Sequence, residues 1–177
     1  MFCDGLFGPI KQWGFLVKDL DRAMACWVDQ LGVGPWWGFR NVPVTSSFRG
    51  EESQVTMDVG LSFQNGVQIE LIQQTNDALS PYSAFYAGDG EQRLHQVAYF
   101  APDIDAAVAR ARENGMREVG SIKTLLGTRY VYMDSPALEG LVIELMEVHD
   151  GFVEEYERNA GEAEVWDGSE PYRLISL

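Results

Sequence analysis

Apolar and polar positions follow the same order twice along this chain. The first copy opens with the apolar run WGFLV at 13–17 and the second with VAYFA at 97–101, and both runs are typical of strands. A polar turn follows each run, and apolar residues then recur at helical spacing. In the first copy this stripe consists of Leu20, Met24, Trp27 and Leu31. The pattern predicts a helix after each opening strand.

Capping residues place the ends of both helices. Asp19 and Asp103 stand just before the apolar stripes, where a carboxylate can accept the free N–H groups of the first helical turn. Gly32 and Gly115 follow the stripes, and glycine is the common residue just beyond a helix C-terminus. We therefore predict that the first helix ends near Leu31 and the second at Gly115.

Three further strand-like segments follow each helix, separated by glycine-containing turns. They lie near 36–48, 54–63 and 67–74 in the first copy, and near 117–123, 129–134 and 141–148 in the second. Each copy is therefore predicted to be a β-α-β-β-β module, and the fold class is α+β. A small sheet on its own exposes one apolar face. We expect the two tandem modules to form paired curved mixed sheets around a central cleft, with the helices outside.

The repeat also divides the chain into segments. The first module spans 9–74 and the second 95–149, and the polar segment 75–94 is predicted to be the linker, with one helical turn near Ala84. The segment 150–177 lies outside the repeat. We expect this C-terminal extension to pack on the domain or on a dimer partner.

Two glutamates occupy equivalent positions within apolar strands. The segments GVQIEL and GLVIEL place Glu70 and Glu144 between isoleucine and leucine, and Gln12 and Gln96 begin the two copies 84 residues apart. Burying a carboxylate without a partner is costly, so two at matched positions suggest a shared site. The sequence also permits another interpretation, in which each glutamate faces solvent on an antiparallel sheet.

Strand alternation predicts that these four side chains share the inner faces of the two sheets. Two carboxylates and two amides, from Glu70, Glu144, Gln12 and Gln96, suit a hard divalent cation. The same alternation turns His95 toward the helix-covered side, unless a β-bulge re-aims it.

Composition restricts the partners and the compartment. The chain has 13 Lys and Arg against 27 Asp and Glu, a net charge of −14, which argues against nucleic acid and anionic membranes as partners. It has neither an apolar run of about 18 residues nor a signal-peptide pattern, so we expect a cytoplasmic protein. Cys3 and Cys26 are expected to be free thiols, with Cys26 buried in the first helix.

Several of these runs together resemble the vicinal oxygen chelate superfamily, which includes glyoxalase I, methylmalonyl-CoA epimerase, extradiol dioxygenases and bleomycin-resistance proteins. The runs are KDLDRAMACWVDQLGVGPW, LHQVAYFAPDIDAAVARARENG and the two IEL strands. The resemblance covers about residues 9–149 and is strongest to the glyoxalase and epimerase branch. By position, it implies the metal ligands Gln12, Glu70, Gln96 and Glu144. Gln96 departs from the family, whose members usually have histidine there; His95 stands one residue earlier.

The resemblance implies chemistry at a metal-bound carbonyl group. In this family a divalent ion chelates neighbouring substrate oxygens and stabilises an enolate, while a carboxylate moves the proton. Glu144 or Glu70 would then serve as both ligand and base. We therefore expect a glyoxalase-like isomerase, epimerase or lyase acting on a carbonyl-containing small molecule. The pattern does not distinguish Mg, Mn, Zn, Ni and Fe as the metal, and the resemblance also implies a homodimer.

Two other functions remain open. One is a metal-free small-molecule-binding protein of the bleomycin-resistance type. The other, less favoured, is an extradiol-type dioxygenase, which needs two histidines and a carboxylate around iron, whereas this chain offers only His95 and His149.

The substrate pocket is predicted from residue type alone. The predicted lining residues are His95, Trp37, Phe39 and Arg129. Aromatic residues more often pack in the core, and arginines are more often exposed to solvent, so both alternatives stay open. The epimerase branch has a further glutamate on an inner strand of its first module. Gln54 stands near that place, which weakens methylmalonyl-CoA as the substrate.

Overall fold

The computed structural model describes residues 5–176, and the predicted thiol of Cys3 lies outside the described residues. Strands and helices occur in the order β1 (Gln12–Val17), α1 (Leu20–Leu31), β2 (Trp36–Phe48), β3 (Glu51–Gln64), β4 (Val67–Gln74), α2 (Ser83–Tyr86), β5 (Gln92–Ala101), α3 (Ile104–Glu113), β6 (Arg117–Thr124), β7 (Arg129–Asp134), β8 (Val142–Glu147), α4 (Phe152–Glu164) and β9 (Tyr172–Ser176). Within the described range, no helix is both long and apolar enough to cross a membrane.

The strands form one mixed sheet that curves into a barrel. Their order is β3-β4-β1-β5-β8-β7-β6-β2-β9, and the barrel closes because β3 also pairs with β2. The two modules meet along two seams, where β1 pairs with β5 and β2 pairs with β6, both antiparallel. The predicted α+β class with two β-α-β-β-β modules is confirmed. The sheets of the two modules join at both edges, through the β1–β5 and β2–β6 pairs, to form the single barrel sheet.

Both predicted helix starts are confirmed. Asp19 accepts a hydrogen bond from the Arg22 backbone N–H at 3.0 Å, and Asp103 accepts one from Ala106 at 2.9 Å. Such caps typically contribute about 1 kcal/mol each. The expectation that Cys26 is buried is wrong, because α1 buries its Leu20, Ala23 and Met24 face and leaves the cysteine exposed.

Apolar residues form three clusters, two beneath the outer helices and one inside the barrel. The outer clusters lie under α1 and α3. The inner cluster fills one end of the barrel and includes Leu16, Ile72 and Tyr132. The segment 75–94 joins the modules and also adds to this cluster, because Tyr82 and Phe85 insert into it with 1% and 3% of their surface exposed.

The C-terminal segment packs on the domain beside the inner face of the sheet. The first half of β2 pairs with β9, whereas its second half pairs with β6. The ring of Tyr156 in α4 packs edge-on against Phe63 and Phe100, at centroid distances of 4.9 and 5.1 Å. Its hydroxyl lies 3.0 Å from the carbonyl oxygen of Gly66, in the turn just before β4. Helix α4 therefore covers the inner-face aromatic residues, while α1 and α3 cover the outside.

Candidate functional site

Four polar side chains from four neighbouring strands meet inside the barrel. Strands β4, β1, β5 and β8 carry Glu70, Gln12, Gln96 and Glu144, respectively. The amide end of Gln12 lies 3.2 Å from Oε2 of Glu70 and 3.2 Å from Oε2 of Glu144. Gln96 Nε2 donates to Glu70 Oε2 at 3.1 Å. The structure thus brings together all four residues expected as ligands, and we call this group the carboxylate–amide cluster.

Strand alternation and one glycine make room for this cluster. Leu16 and Ile72 continue the inner faces of β1 and β4 into the barrel core, whereas Leu71 packs under α1. Gly14 stands opposite Gln96, and a Cβ at position 14 would overlap the Gln96 side chain, with Cγ only 2.8 Å away. Glycine at this position therefore lets the Gln96 side chain reach the carboxylates.

Burial raises the pKa values of both carboxyl groups. The pKa of Glu70 rises from 4.5 to about 7, chiefly through burial, while the hydrogen bond from Gln96 lowers it. The pKa of Glu144 is raised well above its ordinary value, first by burial and then by the negative charge of Glu70. Within residues 5–176, neither carboxylate forms an ion pair with lysine or arginine. The pair therefore requires a shared proton or a bound cation.

The donor atoms of the cluster fit a hard divalent cation. The Gln12 atom that faces both carboxylates is either the amide oxygen, which leaves three oxygens facing one another, or the amide nitrogen, which donates to both. The first arrangement requires a proton or a cation between these oxygens, and Mg²⁺ or Mn²⁺ takes such oxygens. No three His, Cys, Asp or Glu side chains of the described range form a metal-ligand group. The amides would therefore complete the ligand set.

A β-bulge turns His95 into the barrel. In the β1–β5 pairing Gly14 lies opposite Gln96, but the next residue, Phe15, lies opposite Leu94, so His95 is the extra residue. Its ring packs edge-on against Tyr82 and Tyr132 at 5.4 and 5.8 Å. Its Nδ1 is hydrogen-bonded to Gln96 Oε1. The placement of His95 under a helix, which simple alternation predicts, is therefore wrong.

Two buried tyrosines extend the cluster, and the sequence interpretation missed both. Tyr132 stands opposite Glu144 in the β7–β8 pairing. The hydroxyl oxygens of Tyr132 and Tyr82 are 2.7 Å apart. Burial raises the pKa of both phenols well above the ordinary value. Alternation along β7 would have indicated Tyr132, whereas nothing in the polar segment around Tyr82 indicates a buried side chain.

Three residues predicted to line the substrate pocket lie apart from the cluster. Trp37 is half-buried and packs against Phe63 at 6.2 Å, and Phe39 is 42% exposed. Arg129 forms ion pairs with Asp105 at 2.8 Å and with Glu147 at 3.0 Å. The two carboxylates that hold Arg129 belong to α3 and to the end of β8.

The two histidines occupy different parts of the fold. His149 is exposed, and its neighbour Val148 is hydrogen-bonded to Ala101, at the opposite end of β5 from His95. The described residues therefore do not assemble the two-histidine iron site of an extradiol dioxygenase. His95 instead borders a cleft of about 530 Å³, which Arg93 and Val142 also line.

Comparison with known proteins identifies the family. The model of the Glyoxalase/Bleomycin resistance protein/Dioxygenase superfamily matches residues 11–133. This chain belongs to that superfamily. The matched part of this superfamily member contains Gln12, Glu70 and Gln96 and ends before Glu144. No curated protein sequence matches the chain significantly.

Solved structures of similar fold include epimerases. Methylmalonyl-CoA epimerase from Mycobacterium tuberculosis has a TM-score of 0.59 and 22% identity, covering 87% of this chain and 97% of the epimerase. A hypothetical protein from Bacillus halodurans C-125 has a TM-score of 0.59 and 15% identity, covering 80% and 95%. A Streptomyces coelicolor methylmalonyl-CoA epimerase in complex with 2-nitronate-propionyl-CoA has a TM-score of 0.52 and 20% identity, covering 80% and 95%. At these identities the likeness shows the superfamily fold alone.

Proposed function

We propose that this superfamily member is a metal-dependent epimerase or isomerase that moves a proton on the carbon beside a carbonyl group. The carboxylate–amide cluster carries the proposal. It combines two carboxylates inside the barrel, two amides, and no lysine or arginine paired with those carboxylates in the described range. Such a set can hold a hard divalent ion and also exchange a proton with a substrate.

The two carboxyl groups suit different roles in proton transfer. Glu70 is only partly buried, and its pKa of about 7 makes it a base that is active near neutral pH. Glu144 is 3% exposed, and its pKa is raised well above the ordinary value by burial and by the negative charge of Glu70, which favours its protonated form when no cation is bound. One group can remove a proton from one face of the substrate carbon while the other returns a proton to the opposite face. A divalent ion held by the cluster would stabilise the negative charge on the substrate oxygen.

The substrate class is proposed from the neighbours and from one residue of this chain. The names of the M. tuberculosis and S. coelicolor epimerases favour an acyl thioester of coenzyme A. Gln54, near the place where the epimerase branch has a further glutamate, is exposed and donates to Thr45 Oγ1 at 3.1 Å. A related carbonyl compound other than methylmalonyl-CoA therefore fits this chain better.

Hydrogen exchange measured by NMR in D₂O tests the reaction. The metal-loaded protein is incubated with a panel of 2-methyl-branched acyl-CoA thioesters, 2-oxo acids and hemithioacetals. We expect metal-dependent loss of the signal of the proton beside the carbonyl, and a decrease of about 10²–10⁴-fold in this rate for Glu70→Gln. Glu147→Gln is the matched control, because this β8 glutamate binds Arg129 rather than the cluster. Metal-loaded wild type that exchanges no member of the panel would contradict the proposal.

A metal-free small-molecule-binding protein is the second candidate. It is favoured by the other amide orientation, in which the Gln12 nitrogen donates to both carboxylates and no ion is needed. Elemental analysis of protein purified without chelators separates the two functions. A stoichiometric metal supports the enzyme, whereas metal-free protein that stays inert after addition of Mg²⁺ or Mn²⁺ supports the binding function.

A further inference from the structure

Gln68 is a buried polar residue beside the carboxylate–amide cluster. It stands directly opposite Gln12 in the parallel β1–β4 pairing, on the same face of β4 as Glu70. Gln68 is 8% exposed and Gln12 is 4% exposed. Gln68 Oε1 accepts a hydrogen bond from Gln12 Nε2 at 2.9 Å, and among the described residues this is the only hydrogen bond of the Gln68 side chain. The Gln68 amide therefore serves Gln12 rather than the carboxylates.

The backbone that carries both glutamines is held in place by α4. The N–H group of Gln68 donates to the carbonyl oxygen of Lys11 at 2.9 Å and lies 3.3 Å from the Tyr156 hydroxyl oxygen. The same hydroxyl is hydrogen-bonded to the Lys11 carbonyl oxygen. Lys11 directly precedes Gln12. These contacts fix the starts of β1 and β4 against each other, so the two amides stay within hydrogen-bond distance.

The bond between the two amides decides which atom of Gln12 faces the carboxylates. An amide group has an acceptor oxygen on one side and a donor NH₂ group on the other. Because Gln12 Nε2 is turned toward Gln68 Oε1, Gln12 Oε1 faces Glu70 and Glu144. If the Gln12 amide alone turned over, its oxygen would lie 2.9 Å from Gln68 Oε1, and two acceptors would face each other. The Gln12 amide therefore cannot turn unless Gln68 turns as well.

We infer that Gln68 is a positioning residue that holds the Gln12 oxygen toward the carboxylates and so makes Gln12 a metal ligand. Hard divalent cations bind amide oxygens rather than amide NH₂ groups. Gln68 acts through Gln12 and needs no contact with the ion. Residues that orient a ligand in this way typically change metal affinity by about 10–100-fold. The inference rests on the proposed function, because it assigns the orientation of one of the proposed ligands.

Metal binding by variants of position 68 tests the role of the acceptor oxygen. Gln68→Glu keeps an acceptor oxygen opposite Gln12, whereas Gln68→Met has a similar shape and only a weak acceptor. Chelator-stripped proteins are titrated with Mn²⁺ under electron paramagnetic resonance. We expect Gln68→Met to lose about 10–100-fold in affinity and Gln68→Glu to bind at least as tightly as wild type. Gln64→Met is the matched control, because this glutamine is exposed at the end of β3.

A second background shows whether the effect passes through Gln12. In a Gln12→Met protein the amide that Gln68 orients is missing, so adding Gln68→Met should lower the Mn²⁺ affinity by less than about twofold more. Adding Gln68→Glu to this background measures the effect of the new charge alone. Gln68→Glu should therefore raise the affinity more when Gln12 is present. Thermal denaturation followed by circular dichroism shows which variants fold.

The outcomes separate this inference from the proposed function. Folded Gln68→Met that binds Mn²⁺ as tightly as wild type would overturn the positioning role and leave the metal-dependent function standing. Equal effects of Gln68→Glu with and without Gln12 would overturn it as well, even if Gln68→Met does not fold. Wild type that binds no Mn²⁺ would contradict both the metal-dependent function and the role of Gln68.

Discussion

Neutralising Glu70 is expected to remove a pH dependence from the stability of the metal-free protein. The pKa of this carboxyl group rises from 4.5 to about 7 on folding, so the folded state favours its neutral form. The resulting stabilisation is complete below pH 4.5 and is lost as the pH rises through about 7. One pKa unit corresponds to about 1.4 kcal/mol, which gives a loss of about 3 kcal/mol. This is an upper value, because Glu70 is only partly buried.

Urea denaturation in the presence of EDTA measures this loss. Tryptophan fluorescence is recorded at intervals from pH 5 to pH 8 for wild type, Glu70→Gln and the control Glu147→Gln. Wild type and the control should lose about 2–3 kcal/mol more than Glu70→Gln over this range, since the amide does not titrate. The reasoning is refuted if Glu70→Gln loses as much stability with rising pH as wild type does.

Further substitutions test the packing and the hydrogen bonds around the cluster. Gly14→Ala should destabilise the protein by about 1–3 kcal/mol and weaken Mn²⁺ binding, because the added methyl group displaces Gln96. The control Gly161→Ala in α4 adds a methyl group that meets no atom within 4 Å, so it should stabilise the protein by about 0.5–1 kcal/mol in the urea denaturation assay. If Gly14→Ala and Gly161→Ala change the free energy of unfolding equally, the packing argument is contradicted. Tyr132→Phe removes the buried hydroxyl that is hydrogen-bonded to Tyr82 and should cost about 1–3 kcal/mol, and an unchanged denaturation midpoint would show that this hydrogen bond contributes nothing.

The local sequence pattern predicts most of the fold, because it is dictated by short-range rules. Asp19 and Asp103 mark the helix starts through a hydrogen bond that spans three residues. The period of two along a strand also places Gln12 and Glu144 on the inner face. These features need no knowledge of which strands are neighbours.

The rest of the site depends on contacts between distant segments. The bulge at His95 is defined by its pairing with β1, and the sequence around residue 95 gives no sign of it. Tyr82 lies in a polar segment that reads as a linker, yet it is buried because the end of the barrel offers an apolar surface. The exposure of Cys26 depends on which face of α1 meets the sheet. Long-range pairing decides each of these outcomes, and periodicity does not report it.

The most direct test of the central claim is the stoichiometry of Mn²⁺ binding. Wild type, Glu70→Gln, Glu144→Gln and the control Glu147→Gln are stripped with chelator and titrated with Mn²⁺ under electron paramagnetic resonance. The carboxylate–amide cluster predicts one ion per chain in wild type and in the control, and a loss of affinity of at least about 100-fold in the two cluster variants, since each removes a charged ligand. Equal Mn²⁺ binding by all four proteins, or none by wild type, would contradict the claim that this cluster is a metal site.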